Sequence, residues 1–355
     1  MGLKSQLQNI FEQFNVSEKF TDFQIFYSGH INNTYLILTK EKLNYVLQKI
    51  NGNVFKKAKE VIENKVKVTS FLQNSNYKTL EYIKSKNGNF YIKDLENNYW
   101  NLCYYIKNSQ TFTQVTSFKI SFEAGKITGG FLTKMRDFEE TLVDILPKFH
   151  NMSFRFLQFE EALKNASSKR EETALEWINF CISKKEEMTI LDKAILNKEI
   201  PLRVIHSDTK ISNILFDKNE KAICLIDLDT VMKGVLHFDY GDALRTICNT
   251  AKEDEKNSKL INFNFNYFKN YTKGFLESTG NQLTKNELKY LSISPKIITF
   301  IMGLRFLTDY LNNDVYYKTE YKEHNLIRAK NQFILVNKIL ENQEKIENFI
   351  QKTTS

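Results

Sequence analysis

The sequence predicts an α+β protein in two lobes, a small sheet-rich lobe over residues 1–107 and a larger, mainly helical lobe over residues 108–355. Three observations lead there. Short apolar runs with alternating polar positions crowd the first hundred residues. From Phe122 onward the apolar spacing turns mostly helical. One strand-rich island, Val204 to Leu228, interrupts that helical half. A chain of 355 residues with 42% apolar content can bury a sizeable core and exceeds the usual size of one domain, so two units are expected.

The first twenty residues alternate apolar and polar positions at helical spacing. They lack the apolar core of about 7–15 residues that a signal peptide carries, so a cytoplasmic protein is expected. Strand-like runs follow at Phe23 to Tyr27, Thr34 to Leu38 and Tyr45 to Ile50, then a helical stretch from about Phe55 to Leu72. FYIKDL from Phe90 and NLCYYI from Asn101 read as two further strands. Beyond them, helices are expected around Gly130 to His150, Phe156 to Leu163, Glu172 to Lys185 and Glu287 to Asn312. The most apolar run, Ile297 to Leu307, contains Arg305 and falls well short of the roughly 20 residues of a membrane span. It reads as a buried core helix.

Composition narrows the function. Four cysteines, Cys103, Cys181, Cys224 and Cys248, form no C-x-x-C pair, which predicts reduced core thiols rather than a disulfide framework or a zinc site. The formal charge of +8 is carried by lysines scattered among acids, so it reads as a solvated surface and not as a nucleic-acid interface. With only 12 glycines and 3 prolines, no low-complexity linker or repeat separates the halves.

The strand-rich island, VIHSDTKISNILFDKNEKAICLIDLD, carries the chemistry. His206, Asp208, Lys210 and Asn213 form H-x-D-x-K-x-x-N, and a hairpin from Ile214 to Ile226 leads into Asp227. Phosphoryl transfer needs a carboxylate to orient the attacking hydroxyl and accept its proton, together with oxygen ligands for a magnesium ion that bridges the nucleotide phosphates. Asp208 suits the first task. Asn213, five residues on, and Asp227, returned by the hairpin, suit the second. Asp and Asn also cap turns and end strands, but four positions and a hairpin in register favour the chemical reading.

Order and spacing here resemble the protein-kinase superfamily, and more closely its aminoglycoside phosphotransferase and choline-kinase-like branch, since I-D-L-D lacks the D-F-G glycine. The resemblance implies a bilobal protein-kinase-like fold and a small-molecule kinase that uses ATP and Mg2+. Lys210 stands where protein kinases neutralise the transferred phosphate, or else is plain surface charge. His206 reads as a residue that fixes the loop by hydrogen bonding. Asp229 is either a second metal contact or a local acceptor.

Upstream, YSGHINNTY places Ser28, Gly29 and Asn32 at a turn before Thr34, where backbone amides can approach a triphosphate. In YVLQKIN the position that holds the phosphate-binding lysine of a kinase is Gln48, with Lys49 beside it, and alternate strand residues face opposite sides. Lys49 is favoured for its charge, with Glu63 as first ion-pair partner and Glu60 as second. NLCYYI is expected to line an adenine pocket, with backbone groups from Tyr104 to Ile106 reading the base.

A closer resemblance emerges from GHINNTY, YVLQKIN, ILPKFHN, HSDTKISN, IDLDTVMKG, FDYGDALR and RFLTDYLNNDVYYKTEYKEHNLIRAKNQ, which together are similar to the N-acetylhexosamine 1-kinase group. It extends in pieces from about Ser28 to Gln332 and implies phosphorylation of the anomeric hydroxyl of a free amino sugar. His30, Asp208, Arg305, Asp309 and Tyr317 are then the candidate acceptor contacts. Arg305 and Asp309 are equally compatible with an i, i+4 helix pair. Asp242 and Arg245 are expected to support the metal-binding loop from behind. A choline- or ethanolamine-type kinase, an aminoglycoside kinase and a nucleotide-binding pseudokinase are the competing readings. No nucleic-acid or membrane partner is expected.

Overall fold

The computed structural model describes residues 2–26, 31–41 and 43–354. Helix α1 (Leu3–Phe11) leads into strands β1 (Phe20–Phe26), β2 (Asn33–Thr39) and β3 (Tyr45–Lys49), helix α2 (Ala58–Gln73), and strands β4 (Ile92–Lys93) and β5 (Tyr99–Tyr104). The five strands form one antiparallel sheet in the order β1-β2-β3-β5-β4. Strand parity divides its faces. Tyr35, Ile37, Tyr45, Leu47, Trp100 and Leu102 pack on one side with Leu7, Ile10 and Phe11 of α1. Thr34, Val46, Gln48, Asn101 and Cys103 face the other side and roof a cleft.

The helical body runs through α3 (Phe118–Lys134), α4 (Met152–Asn165), α5 (Ser168–Met188), α6 (Ile190–Leu196), α7 (Leu236–Ile247), α8 (Phe265–Thr279), α9 (Lys285–Leu291), α10 (Ser294–Leu311), α11 (His324–Glu341) and α12 (Gln343–Thr354). Between α6 and α7 lie two small antiparallel ladders. Strand β6 (Arg203–Ile205) pairs with β9 (Met232–Gly234), and β7 (Ile214–Phe216) pairs with β8 (Ala222–Leu225). The apolar run from Ile297 to Leu307 is the middle of α10 and is buried except at Met302 and Arg305, which are partly exposed, as expected of a core helix. Among the described residues no single helix is long and apolar enough to cross a membrane. All four cysteines are free and buried.

Several boundaries differ from the sequence reading. The helix expected over Gly130 to His150 ends at Lys134, because the following segment is captured by α2. Asn64 donates to the Val143 carbonyl at 2.8 Å and accepts its amide at 3.0 Å, and Lys67 donates to the Thr141 carbonyl at 2.8 Å. The single stretch expected from Glu287 splits into α9 and α10, where Pro295 requires a fresh helix start. Helix α7 begins at Leu236 and carries Asp239, Asp242 and Arg245.

Helices α3 and α8 approach so closely that only glycine fits between them. A Cβ on Gly125 would lie 2.0 Å from the Tyr271 carbonyl oxygen, and one on Gly274 2.1 Å from that of Phe122. Gly274→Ala is therefore expected to lower stability by about 2 kcal/mol net, overpacking of up to about 3 kcal/mol being partly offset by the better helix propensity of alanine. A urea midpoint that falls with unchanged slope checks this, and a midpoint that rises refutes the contact.

Candidate active site

The catalytic turn is shaped by groups distant in sequence. Strand β6 delivers the chain to His206, and Ser207 then adopts φ +67°, the left-handed region that an L-residue with a side chain rarely enters. Asp239, in the first turn of α7, holds it there, accepting the amides of His206 at 2.8 Å and Ser207 at 2.7 Å. Burial pushes the Asp239 carboxyl up to about 6, against the pull of His206 and those two amides. His206 bridges the turn and the hairpin that follows it. With its proton on Nε2 it donates to the Ile226 carbonyl at 2.9 Å, and Nδ1 accepts the Asp208 amide at 3.2 Å.

Asp208 presents one carboxylate oxygen to its neighbours, and its other oxygen has no donor among the described residues. Oδ2 accepts the Lys210 ammonium at 2.7 Å and the Asn213 amide nitrogen at 2.9 Å. Burial acts to raise this carboxyl, but Lys210, backed by His206 and Arg245, outweighs it and holds Asp208 below the usual carboxylate range. Asp208 is thus an anion at neutral pH, and its Oδ1 accepts no hydrogen bond from the described residues. Burial acts to lower Lys210, yet Asp208 and Asp227 keep its ammonium above the usual value.

Asn213 spends its amide nitrogen on Asp208, also donating to the Asp208 carbonyl at 2.8 Å, which leaves its Oδ1 with no donor among the described residues. The β7–β8 hairpin brings Asp227 alongside at φ +63°. Its carboxylate also accepts nothing from the described residues. Burial and the adjacent Asp229 push it up to about 7, opposed by Lys210. An open amide oxygen and a buried, partnerless carboxylate are hard donors suited to a divalent cation such as Mg2+. No group of three acidic, His or Cys side chains converges among the described residues, so such an ion would complete its shell with water and phosphate oxygens.

The roof of the cleft corrects part of the sequence reading. Lys49 shares the strand face of Leu47 and turns away from the cleft, lying 4.0 Å from Glu96 and over the Trp100 ring at 5.6 Å. Gln48 faces the cleft instead. Glu63 forms an exposed pair with Lys59 at 3.3 Å and is no partner for β3. The cation at this place is Lys65 on α2, which the sequence reading passed over. It donates to Gln48 Oε1 at 2.9 Å and Asp229 Oδ1 at 2.6 Å and is 1% exposed. Its signal was present, since Lys65 interrupts an apolar helix face of Val61, Ile62, Val68 and Leu72.

Asn32 and Thr34 line the cleft. Asn32 accepts the Asn51 amide at 2.8 Å and donates to Asp229 Oδ2. With Lys65 on one oxygen and Asn32 on the other, Asp229 is a local acceptor rather than a second open metal donor. Ser28, Gly29 and His30 lie outside the described residues.

The far end of the cleft, about 370 Å³ in all, is walled by Phe26, Val46, Cys103, Leu215 and Ile226 and edged by Tyr104 to Ile106. The Tyr104 amide is taken by the Glu81 carbonyl at 3.1 Å and that of Tyr105 by Asn44 at 3.0 Å. Among the described residues, Ile106 is left as the free amide donor on this edge.

The model of the phosphotransferase enzyme family matches residues 22–267. The chain belongs to that family. It is a small-molecule kinase with ATP as phosphoryl donor. Solved structures share its fold at low identity. A spectinomycin phosphotransferase in complex with ADP and spectinomycin superposes with a TM-score of 0.62 at 15% identity, over 96% of this chain and 98% of that one. An aminoglycoside phosphotransferase from Alicyclobacillus acidocaldarius subsp. acidocaldarius gives 0.65 at 11%, over 97% and 96%. An ethanolamine kinase from Plasmodium vivax gives 0.56 at 12%, over 88% and 81%.

In this phosphotransferase the residues expected at the acceptor divide into two groups. Arg305 stacks over Phe149 at 4.9 Å, Tyr317 at 5.6 Å and Tyr316 at 5.9 Å, and makes no ion pair with Asp309. Asp309 is fully engaged elsewhere, accepting the amides of Tyr316 at 2.8 Å and Tyr317 at 2.9 Å and the Asn325 side chain at 2.9 Å. It shapes a loop and offers nothing to an acceptor, contrary to the sequence reading. The Tyr317 hydroxyl is buried without a partner among the described residues, and burial pushes it up to about 12. His150 links this wall to the catalytic turn through Nε2 and the Ser207 carbonyl, 3.0 Å apart. Asp242 and Arg245 are buried and paired at 2.9 Å, with Glu253 3.0 Å from the guanidinium.

Proposed function

We propose that this kinase transfers the γ-phosphoryl group of MgATP to the anomeric hydroxyl of an N-acetylhexosamine, acting as a sugar 1-kinase. The observation that supports the acceptor class is the charge around His150, which meets the Ser207 carbonyl of the turn, although Arg155 and Arg305 do not line the cleft itself. Burial and then the charge of Arg305 draw the nearby Arg155 guanidinium down to about 10, and both arginines oppose protonation of His150, which burial has already lowered to about 3. A wall with two guanidiniums repels a cationic acceptor such as an aminoglycoside or choline. The aromatic surface that a quaternary ammonium would use is covered by Arg305 itself. A neutral polyhydroxyl acceptor meets guanidinium hydrogen-bond donors there instead. The choice of an N-acetylated sugar rests on the resemblance of the IDLDTVMKG and RFLTDYL segments.

In this reading Asp208 Oδ1 takes the proton of the acceptor hydroxyl, whose oxygen bonds to the γ-phosphorus as the bond from that phosphorus to the β–γ bridging oxygen breaks and ADP leaves. Asn213 and Asp227 would hold a magnesium ion, which when bound offsets charge on the phosphates. Lys210 keeps Asp208 ionised and sets its orientation. Asn32, Thr34 and Gln48 face the phosphates, and the Ile106 amide reads the base.

An ADP-release assay against N-acetylhexosamines, other free sugars, choline, ethanolamine and aminoglycosides tests the proposal. Turnover is expected on an N-acetylhexosamine and absent from the Asp208→Asn protein. Turnover confined to amino alcohols or aminoglycosides refutes the sugar reading, and silence on all of them with nucleotide still bound leaves an acceptor outside the panel or a pseudokinase.

A further inference from the structure

The described roof of the cleft has its cation in an unusual place. A kinase of this general fold sets a phosphate-binding lysine on the third strand and an acidic partner on the following helix. Here the polarity is exchanged: the strand contributes the neutral Gln48, the helix contributes Lys65, and the two side chains meet at 2.9 Å. We infer that Lys65, reaching down from α2, is the phosphate-anchoring cation of this kinase, taking the nucleotide triphosphate in partnership with the Gln48 amide.

Four observations carry this. Strand parity leaves no alternative on β3, because Lys49 lies on the Leu47 face, away from the cleft, and only Val46 and Gln48 face inward. Lys65 is almost wholly buried yet contributes to the cleft wall, and a buried ammonium is tolerated only where polar partners meet it. Of its three hydrogens, two go to Asp229 and Gln48, and the third has no acceptor among the described residues other than the face of the Tyr82 ring, whose centroid is 5.7 Å from the nitrogen. The Gln48 carbonyl is consumed by Lys65 and by Asn101 at 3.4 Å, while its amide nitrogen donates to nothing described. Two donor groups therefore sit together on the wall of the cleft that Asp227 also lines.

The bland alternative is that Lys65 only neutralises Asp229 and ties α2 to the helical body. The two roles separate by ligand. A tether matters equally to every nucleoside that enters the cleft, whereas a phosphate anchor matters only to those with phosphates.

This inference rests on the kinase reading, so the test begins with binding of the non-hydrolysable MgAMP-PNP to the wild-type protein by titration calorimetry. No uptake there would overturn the kinase reading itself. Given uptake, Lys65→Met is expected to weaken MgAMP-PNP about 10- to 100-fold while leaving adenosine within about twofold, the loss of a buried charge-assisted contact. Unchanged MgAMP-PNP affinity overturns the inference, as does an equal loss for adenosine, which identifies a tether.

Should Lys65→Met fail to fold, the double exchange Gln48→Lys with Lys65→Gln returns the amine to β3 and keeps an amine facing an amide. It is expected to retain a wild-type-like preference for MgAMP-PNP over adenosine. A folded double variant without that preference counts against the assignment.

Discussion

Asp208→Asn is expected to leave MgATP bound and to lower turnover by roughly 10²- to 10⁴-fold, the usual contribution of a positioned proton acceptor. The substitution keeps the shape of the side chain, so the turn held by Asp239 and His206 should persist. What it removes is the anion that Lys210 stabilises and the oxygen left free to accept a proton. Equilibrium nucleotide binding measured beside single-turnover rates checks both halves. Near-wild-type turnover would move the proton acceptor elsewhere, and a parallel loss of binding would mean that the turn had collapsed.

Asp227→Asn tests the metal half of the site. Asparagine tolerates the left-handed φ of +63° at this position about as well as aspartate, so the backbone need not move. The charge goes, and with it the donor suited to a divalent ion. Removal of outer-shell partners alone typically weakens metal binding by about 10- to 100-fold, so loss of a direct ligand should lower Mg2+-supported nucleotide affinity by roughly 100-fold or more. Nucleotide titrations with and without Mg2+ read the effect. A variant whose nucleotide affinity still rises with Mg2+ as the wild type's does would remove Asp227 from the metal site.

What could be read in the sequence was what is local. Asp208, Lys210, Asn213 and Asp227 lie within one turn and one hairpin, so spacing alone brought them together. The groups that shape them are remote. Asp239 grips the turn from 32 and 33 residues away, and neither its distance nor its direction has a counterpart in the motif. The preference for Lys49 over Gln48 followed charge, yet Tyr45 and Leu47 already marked the core face of β3, and parity assigns Lys49 to that face. Lys65 was hidden because the expected cation belonged to a strand, although a lysine on the apolar stripe of α2 was itself the clue. Asp309 was misread for another reason: a carboxylate near a cleft suggests a ligand contact until the backbone amides that occupy it are seen.

The four buried cysteines have a consequence for the conditions under which the cleft can operate. Cys103 borders the nucleotide pocket, and burial pushes its thiol up to about 12, as it does that of Cys224. Peroxide and disulfide attack proceed through the thiolate, so at neutral pH the Cys103 sulfur on the cleft wall is held in its unreactive thiol form. A shift in cellular redox state has no thiolate through which to close this cleft, and an electrophile aimed at Cys103 would have to react with a protonated, enclosed sulfur.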